Sequence, residues 1–474
     1  MAFKEYGNYD AVGLAELVRK KQITACELLD EAIARATEVD PRINAVVVKH
    51  YDYARQQIDN GLPDGPFTGV PFLLKDLEFL EGTRTTSGSS VYRDHVAGYT
   101  TTLARRFLAA GLTIFGKSST PEFGLLPTTE TRLLGPTRNP WNLDHSSGGS
   151  SGGAGAAVAA RIVPVAHASD GGGSIRIPAS ASGVFGLKPT RARNPIGPER
   201  GEGWGGFSCG HVLSISVRDS AAMLDAIHGP EPSSPYMAPK PERPFAQEVD
   251  REPGRLRISF TDKSPYGDAI DPEIAAAVRQ IATLLAGLGH LVEERAPALA
   301  ADPAAVRSTI VSANTGLVVR LAEQQFGRAM TDNDMETLTL RTARNGGKAS
   351  AVDYTAAQLT AFKISRGLAI FFETCDVFLC PTLCLPPLRI GELNPMSEDL
   401  SHIAPILRRY IPATSMFNMS GQPAMSVPLA WNSAGLPLGM MFAARFGDEA
   451  TLFRLAAQLE QERPWKIKIP PICA

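Results

Sequence analysis

The stretch Gly148-Gly149-Ser150-Ser151-Gly152-Gly153, followed by Ser169-Asp170-Gly171-Gly172-Gly173-Ser174-Ile175-Arg176-Ile177-Pro178, constrains this chain more than any other part of it. It sets two serines, Ser150 and Ser174, in glycine-flanked backbone 24 positions apart. Glycine beside a serine permits a sharp turn and lets main-chain N–H groups approach a ligand closely, which is how an oxyanion hole is built. Upstream, Lys75 closes the apolar run Val70-Pro71-Phe72-Leu73-Leu74, where a lysine is out of place unless its amine has a function. Two serines and a lysine supply a nucleophile, a relay and a base.

Elsewhere the composition is that of an ordinary globular protein. Hydrophobic residues make up 44%, charged residues 20%, and the formal charge is −2, which gives no electrostatic case for a nucleic-acid partner or an anionic membrane. The segment Met1-Ala2-Phe3-Lys4-Glu5-Tyr6 lacks the apolar core of a secretory signal, and no uninterrupted apolar stretch reaches spanning length, so a cytoplasmic protein is expected. The six cysteines (Cys26, Cys209, Cys375, Cys380, Cys384 and Cys473) are too sparse for a disulfide framework. Cys375, Cys380 and Cys384 lack a C-x-x-C spacing or a nearby histidine pair, so they read as free thiols and no metal is expected.

Periodicity places the motifs on an α/β scaffold. Asp10 caps a helix through Lys20, and Thr24-Ala25-Cys26-Glu27 is a capping box that opens another. Val70 to Leu74 and Leu112 to Phe115 read as strands around a helix from Thr101 to Ala110. Such alternation implies a largely buried sheet. Ser151 to Ala160 reads as a tightly packed helix whose N-terminal amides face the site, and Ile162 to Ala166 as a strand delivering Asp170 to Ser174. Seven prolines between Gly229 and Gly254 mark a crossing segment without helix. Beyond it, Leu256 to Phe260, Val377 to Cys380 and Ala424 to Val427 read as strands, and Asp271-Pro272 opens a helix to about Gly287. The expected organisation is one domain over 1–474. It comprises a helical flank (1–66), a core carrying the motifs (67–228), the proline-rich crossing (229–255) and a second part of the core with pocket segments (256–474).

The run from Gly148 to Pro178, together with Gly69-Val70-Pro71 through Lys75-Asp76, resembles the amidase signature family of serine hydrolases. Gly186-Leu187-Lys188-Pro189-Thr190, Ser216-Val217-Arg218-Asp219 and Asn418-Met419-Ser420-Gly421-Gln422-Pro423-Ala424 extend the resemblance over nearly the whole chain. Thr137 to Asn142 and Pro164 to His167 look most similar to members that hydrolyse nylon-oligomer amides and urethanes. The resemblance implies a large mixed twisted sheet covered by helices on both faces. It also implies a catalytic set of Ser174 as nucleophile, Ser150 on a cis peptide as relay and Lys75 as base. Backbone N–H groups of Gly171, Gly172, Gly173 and Ser174 would form the oxyanion hole. Asp170, Arg176 and Ser151 read as supports of the turn, and His167 as a packed strand histidine rather than half of a Ser–His dyad.

The activity so implied is amide C–N hydrolysis through an acyl-enzyme, extending to carbamates and esters, with a small-molecule substrate and no cofactor. A glutaminase subunit of a tRNA-dependent amidotransferase is the alternative, since it shares the same triad; a non-catalytic interaction module has no sequence support because all three positions are filled. A homodimer is compatible with the chain. Phe207, Leu126, Leu317, Phe417 and Asn418 are the expected substrate-lining residues. Gly171 stands where many members carry a bulkier side chain, and Ala154 where a serine is frequent, so extra space is expected beside the hole. Gly111-Leu112-Thr113-Ile114-Phe115-Gly116-Lys117-Ser118 fits the phosphate-loop pattern by letter. Its context opposes that reading, because the glycine ends a helix and the next residues are strand-like.

Overall fold

Capping chemistry sets the helix boundaries near the chain's start. The computed structural model describes residues 3–232 and 234–474. Asp10 accepts from the Gly13 N–H at the start of Ala11–Arg19. Thr24 and Glu27 cap Ala25–Ile43 reciprocally, and Asp271 with an N1 proline opens Pro272–Gly287.

The principal sheet has eight strands in the order Leu291–Glu294, Arg257–Phe260, Val377–Pro381, Pro437–Ala444, Ala424–Trp431, Phe185–Lys188, Cys209–Ser214 and Val165–Asp170. The first two pairings are parallel and the remainder antiparallel. Alternation along the central strand shows why it is covered twice. Leu438, Met440, Phe442 and Ala444 join a cluster with Val278 and Ile281 of the Pro272–Gly287 helix and Leu452 and Leu459 of Glu449–Glu462. Met441 and Ala443 point the other way, into a cluster with Ile310, Ile364 and Phe417. Strands from both sides of the proline-rich crossing therefore share one sheet; among the described residues of the crossing only a single turn of 3-10 helix, Phe245–Glu248, forms.

A second sheet sets Thr113–Ser118 between Val46–Lys49 and Pro71–Lys75. The Pro71–Lys75 strand packs against Val165–Asp170, the edge strand of the large sheet. The strand expected over Ile162 to Ala166 thus lies three residues further on and ends at Asp170 itself. The phosphate-loop pattern is a turn followed by buried strand, with Lys117 donating to the Glu78 carbonyl at 2.7 Å and to the Thr85 hydroxyl.

Three helices, Pro303–Phe326, Thr337–Lys348 and Ala351–Phe371, lie over the cluster containing Ile310 and Ile364 or against one another. In Pro303–Phe326 and Ala351–Phe371 the periodicity is blurred because Leu317, Leu321, Leu359, Phe362 and Ile370 point outward, leaving no single apolar stripe to read. No described helix is long and apolar enough to cross a membrane.

Candidate active site

The site forms where the edge strand ends against the smaller sheet. Lys75, the last residue of Pro71–Lys75, is fully buried, and its Nζ lies 2.7 Å from Ser150 Oγ and 3.1 Å from Ser169 Oγ. The Gly149–Ser150 peptide is cis. Burial pushes the Lys75 amine down to about 7, against the opposing pull of Asp170 and Glu78. Near neutral pH this amine is therefore divided between its protonated and free-base forms, and it touches a serine hydroxyl. His167 is no rival base. Its Nδ1 accepts the Lys75 backbone N–H at 3.3 Å, its ring packs 5.4 Å from Phe107, and burial together with Lys75 lowers it to about 3.

Residues 171–175 turn the chain from the Asp170 strand end into the buried helix Arg176–Ser182. Asp170 holds this turn from inside. Its carboxylate accepts the Gly173 N–H at 2.7 Å and the Ile175 N–H at 3.1 Å, and pairs with Arg176 through two bonds of 3.0 Å. Burial alone would raise the Asp170 carboxyl, but Arg176 and Asn418 outweigh it and hold it well below the usual range. Arg176 also donates to the Thr414 carbonyl at 2.8 Å and to Asn418 Oδ1 at 2.7 Å, while Thr414 Oγ1 donates to the Gly172 carbonyl at 2.7 Å. Ser151 exchanges hydrogen bonds with the backbone of Ser169 at 3.2 and 3.3 Å. Asp170, Arg176 and Ser151 thus brace the turn.

This bracing corrects the expected oxyanion hole. The Gly173 N–H is committed to Asp170, whereas those of Gly171, Gly172 and Ser174 donate to no other described group. Of the amides opening the Gly152–Ala159 helix, that of Gly152 donates to Thr129 Oγ1 and that of Gly153 to the Ser119 carbonyl, so these two are not free donors toward the site. Nor is there vacant space beside Gly171: a Cβ there would meet the Trp204 ring at 2.7 Å, so the room left by the missing side chain is filled by indole.

Of the expected substrate-lining residues, the structure brings Asn418 to the turn, buries three in apolar clusters and leaves one exposed. Phe207 and Phe417 belong to the packed core, Leu126 packs with Ile177 and Leu393 in another cluster, and Leu317 is 52% exposed on its helix. Asn418 is buried and donates to Asp170 and to the Phe207 carbonyl, which makes it a further brace of the turn. Apolar residues in variable segments are indistinguishable from core when read along a chain. The side chains standing at the three turn glycines are Trp204 and Ser208 at Gly171, Arg307 at Gly172, and Ile177 and Thr414 at Gly173. Of these Trp204 alone carried a signal, in its glycine neighbours Gly203, Gly205 and Gly206. Ser169, the second partner of Lys75, had none beyond standing five residues before Ser174.

The comparisons give the family of this fold, and with it the class of enzyme, a hydrolase of amides. Residues 27–453 match the family model described as Amidase; the chain belongs to the amidase signature family. It is 40% identical over 485 residues to a 6-aminohexanoate-cyclic-dimer hydrolase of Pseudomonas sp. (strain NK87), covering 98% of this chain and 96% of that one. A solved 6-aminohexanoate cyclic dimer hydrolase superposes with a TM-score of 0.92 at 37% identity, over 98% of this chain and 99% of the other. A bacterial aryl acylamidase superposes with a TM-score of 0.88 at 27% identity, over 96% of each chain.

Proposed function

We propose that the protein hydrolyses C–N bonds of oligoamides and anilides, with carbamates and aryl esters as further substrates, through an acyl-enzyme on Ser174. The observation that carries this reading is the fully buried Lys75 amine, lowered to about 7 and 2.7 Å from Ser150 Oγ. Serine at its ordinary pKa is a weak nucleophile and needs a base. Lys75 as free amine takes the Ser150 hydroxyl proton, and Ser150 in turn takes that of Ser174 as Ser174 Oγ attacks the carbonyl carbon. The N–H groups of Gly171, Gly172 and Ser174 receive the oxyanion, an effect of roughly 3–4 kcal/mol for a single donor in serine hydrolases. Collapse breaks the C–N bond, and the proton held by the lysine–serine relay passes to the departing amine. Water then attacks the acyl-enzyme by the same relay, releasing the acid and restoring Ser174. The amide for which those relatives are named, a cyclic dimer of 6-aminohexanoate, has the bond type this sequence of steps cleaves.

The test is amine release from a linear aliphatic secondary amide, an anilide and an aryl carbamate, with alcohol release from an aryl ester. Wild type is expected to act on at least one amide, and Ser174→Ala on none. Turnover that survives Ser174→Ala, or activity confined to glutamine, overturns the reading.

A further inference from the structure

The three glycines of the turn differ in what stands where a side chain would be. At Gly171 the position is taken by the Trp204 ring, and at Gly173, with φ of 133°, by Ile177 and Thr414, each at 2.7 Å. Gly172 has room. A Cβ there meets a single group within 4 Å, the Cδ of Arg307 at 3.6 Å. The contact is with the aliphatic stem of Arg307, and its guanidinium, which begins at the next atom, lies more than 4 Å from that Cβ position, in the neighbourhood of the glycine whose N–H has no partner.

Arg307 has no assigned partner of its own. Among the described residues it makes no hydrogen bond and no ion pair, unlike the half-buried or buried Arg176, Arg191 and Arg193. Tyr266 and Asp302 are the groups that favour its charge, and burial opposes it. Asp302 forms no ion pair with it and caps its own helix by accepting the Ala304 N–H at 2.8 Å. An arginine fork left open in a partly desolvated place is a receptor for a planar anion, because its donors match a carboxylate in pairs.

The neighbouring glycine of the turn is held by an indole of fixed backbone. Trp204 adopts φ of 52°, in the left-handed region that non-glycine residues rarely occupy, and Gly205 and Gly206 follow at 62° and 82°. That backbone sets the indole over Gly171, while a Cβ at Gly205 would meet Tyr354 Oη at 3.1 Å and Ile310 Cγ2 at 3.4 Å. The two adjacent glycines of the turn therefore have different neighbours, the Trp204 ring at Gly171 and the Arg307 stem at Gly172.

We infer that Arg307 is a specificity-determining residue that binds a carboxylate carried on the acyl part of the amide, a few bonds from the scissile carbonyl. This rests on the proposed function for the identity of the scissile site, but the ligand recognition is separable from it. The substrate class is the monoamide of a dicarboxylic acid, in preference to a neutral acyl amide of equal length.

The experiment compares glutaryl 4-nitroanilide with hexanoyl 4-nitroanilide in wild type, Arg307→Met and Arg307→Lys, and measures glutarate binding to Ser174→Ala with and without Arg307→Met by calorimetry. Wild type is expected to favour the charged anilide. Arg307→Met should lower kcat/KM for it about 10- to 100-fold, chiefly through KM, as for a lost charged hydrogen-bonding pair. The neutral anilide should change by less than about three-fold, and Arg307→Lys should recover part of the loss. Equal losses on both anilides, or a wild-type preference for the neutral one, overturn the inference. If neither anilide is cleaved, the binding arm decides: glutarate bound only when Arg307 is present upholds the anion site while the proposed function fails, and no Arg307-dependent binding removes the site.

Discussion

A single amine governs the chemistry at the residue scale. Because burial lowers Lys75 to about 7, its free-base form grows as pH rises through that value. The expected kcat/KM profile therefore has an acid limb with a midpoint near pH 7, and no histidine limb, since His167 is held neutral far below it. A midpoint near pH 5, or a rate that falls between pH 6 and 8, would exclude lysine as the base. Gly171 offers a second check. A methyl group there lies 2.7 Å from the Trp204 ring, closer than real Cβ contacts allow. Gly171→Ala should displace the indole, shift tryptophan emission and lower kcat/KM at least ten-fold for small and bulky acyl groups alike. A loss confined to bulky substrates would instead mean that the space beside Gly171 was open.

At the scale of elements, the nucleophile turn is a strand end clamped to a helix start. Asp170 closes Val165–Asp170, Arg176 opens Arg176–Ser182, and both are fully buried. Breaking a buried ion pair from one side strands the other charge, at about 3–5 kcal/mol. Arg176→Met is expected to cost that much in urea unfolding, and Arg176→Lys to recover little, because one ammonium cannot also reach the Thr414 carbonyl and Asn418 as the planar fork does. A loss below about 1 kcal/mol would show the clamp to be dispensable; 1 kcal/mol is the scale of one ordinary hydrogen bond. The sequence made much of this visible. Motif glycines, Asp170, Arg176 and the capped helices were legible because their chemistry is local, decided within a few residues. Ser169, Thr414 and Asn418 were not recognised in their actual roles, since a serine, a threonine and an asparagine acquire partners only when segments such as 169–176 and 414–418 meet. Arg307 was illegible for a related reason: a charged residue on a helix reads as solvated surface until the fold turns it toward Gly172.

For the molecule as a whole, the eight-stranded sheet and the smaller sheet must come together before the site exists, since Lys75 belongs to one and Asp170 to the edge of the other. That assembly buries an ammonium-forming group completely, so function and stability oppose each other at Lys75. In the unfolded chain a lysine keeps its proton until about pH 10.5, whereas the folded protein releases it near 7. Between those values the unfolded state binds more protons, and stability must rise with pH, by up to about 1.4 kcal/mol per pH unit. Lys75→Met removes this dependence. The variant should therefore be more stable than wild type at pH 7, by several kcal/mol less the loss of the Ser150 and Ser169 contacts, and the gap should narrow by about 3 kcal/mol by pH 9.5. Urea midpoints for both proteins at the two pH values measure it, because titrations elsewhere in the chain cancel in the difference. A gap that stays constant from pH 7 to 9.5 would mean that Lys75 keeps its proton in the folded protein and cannot act as the resting base.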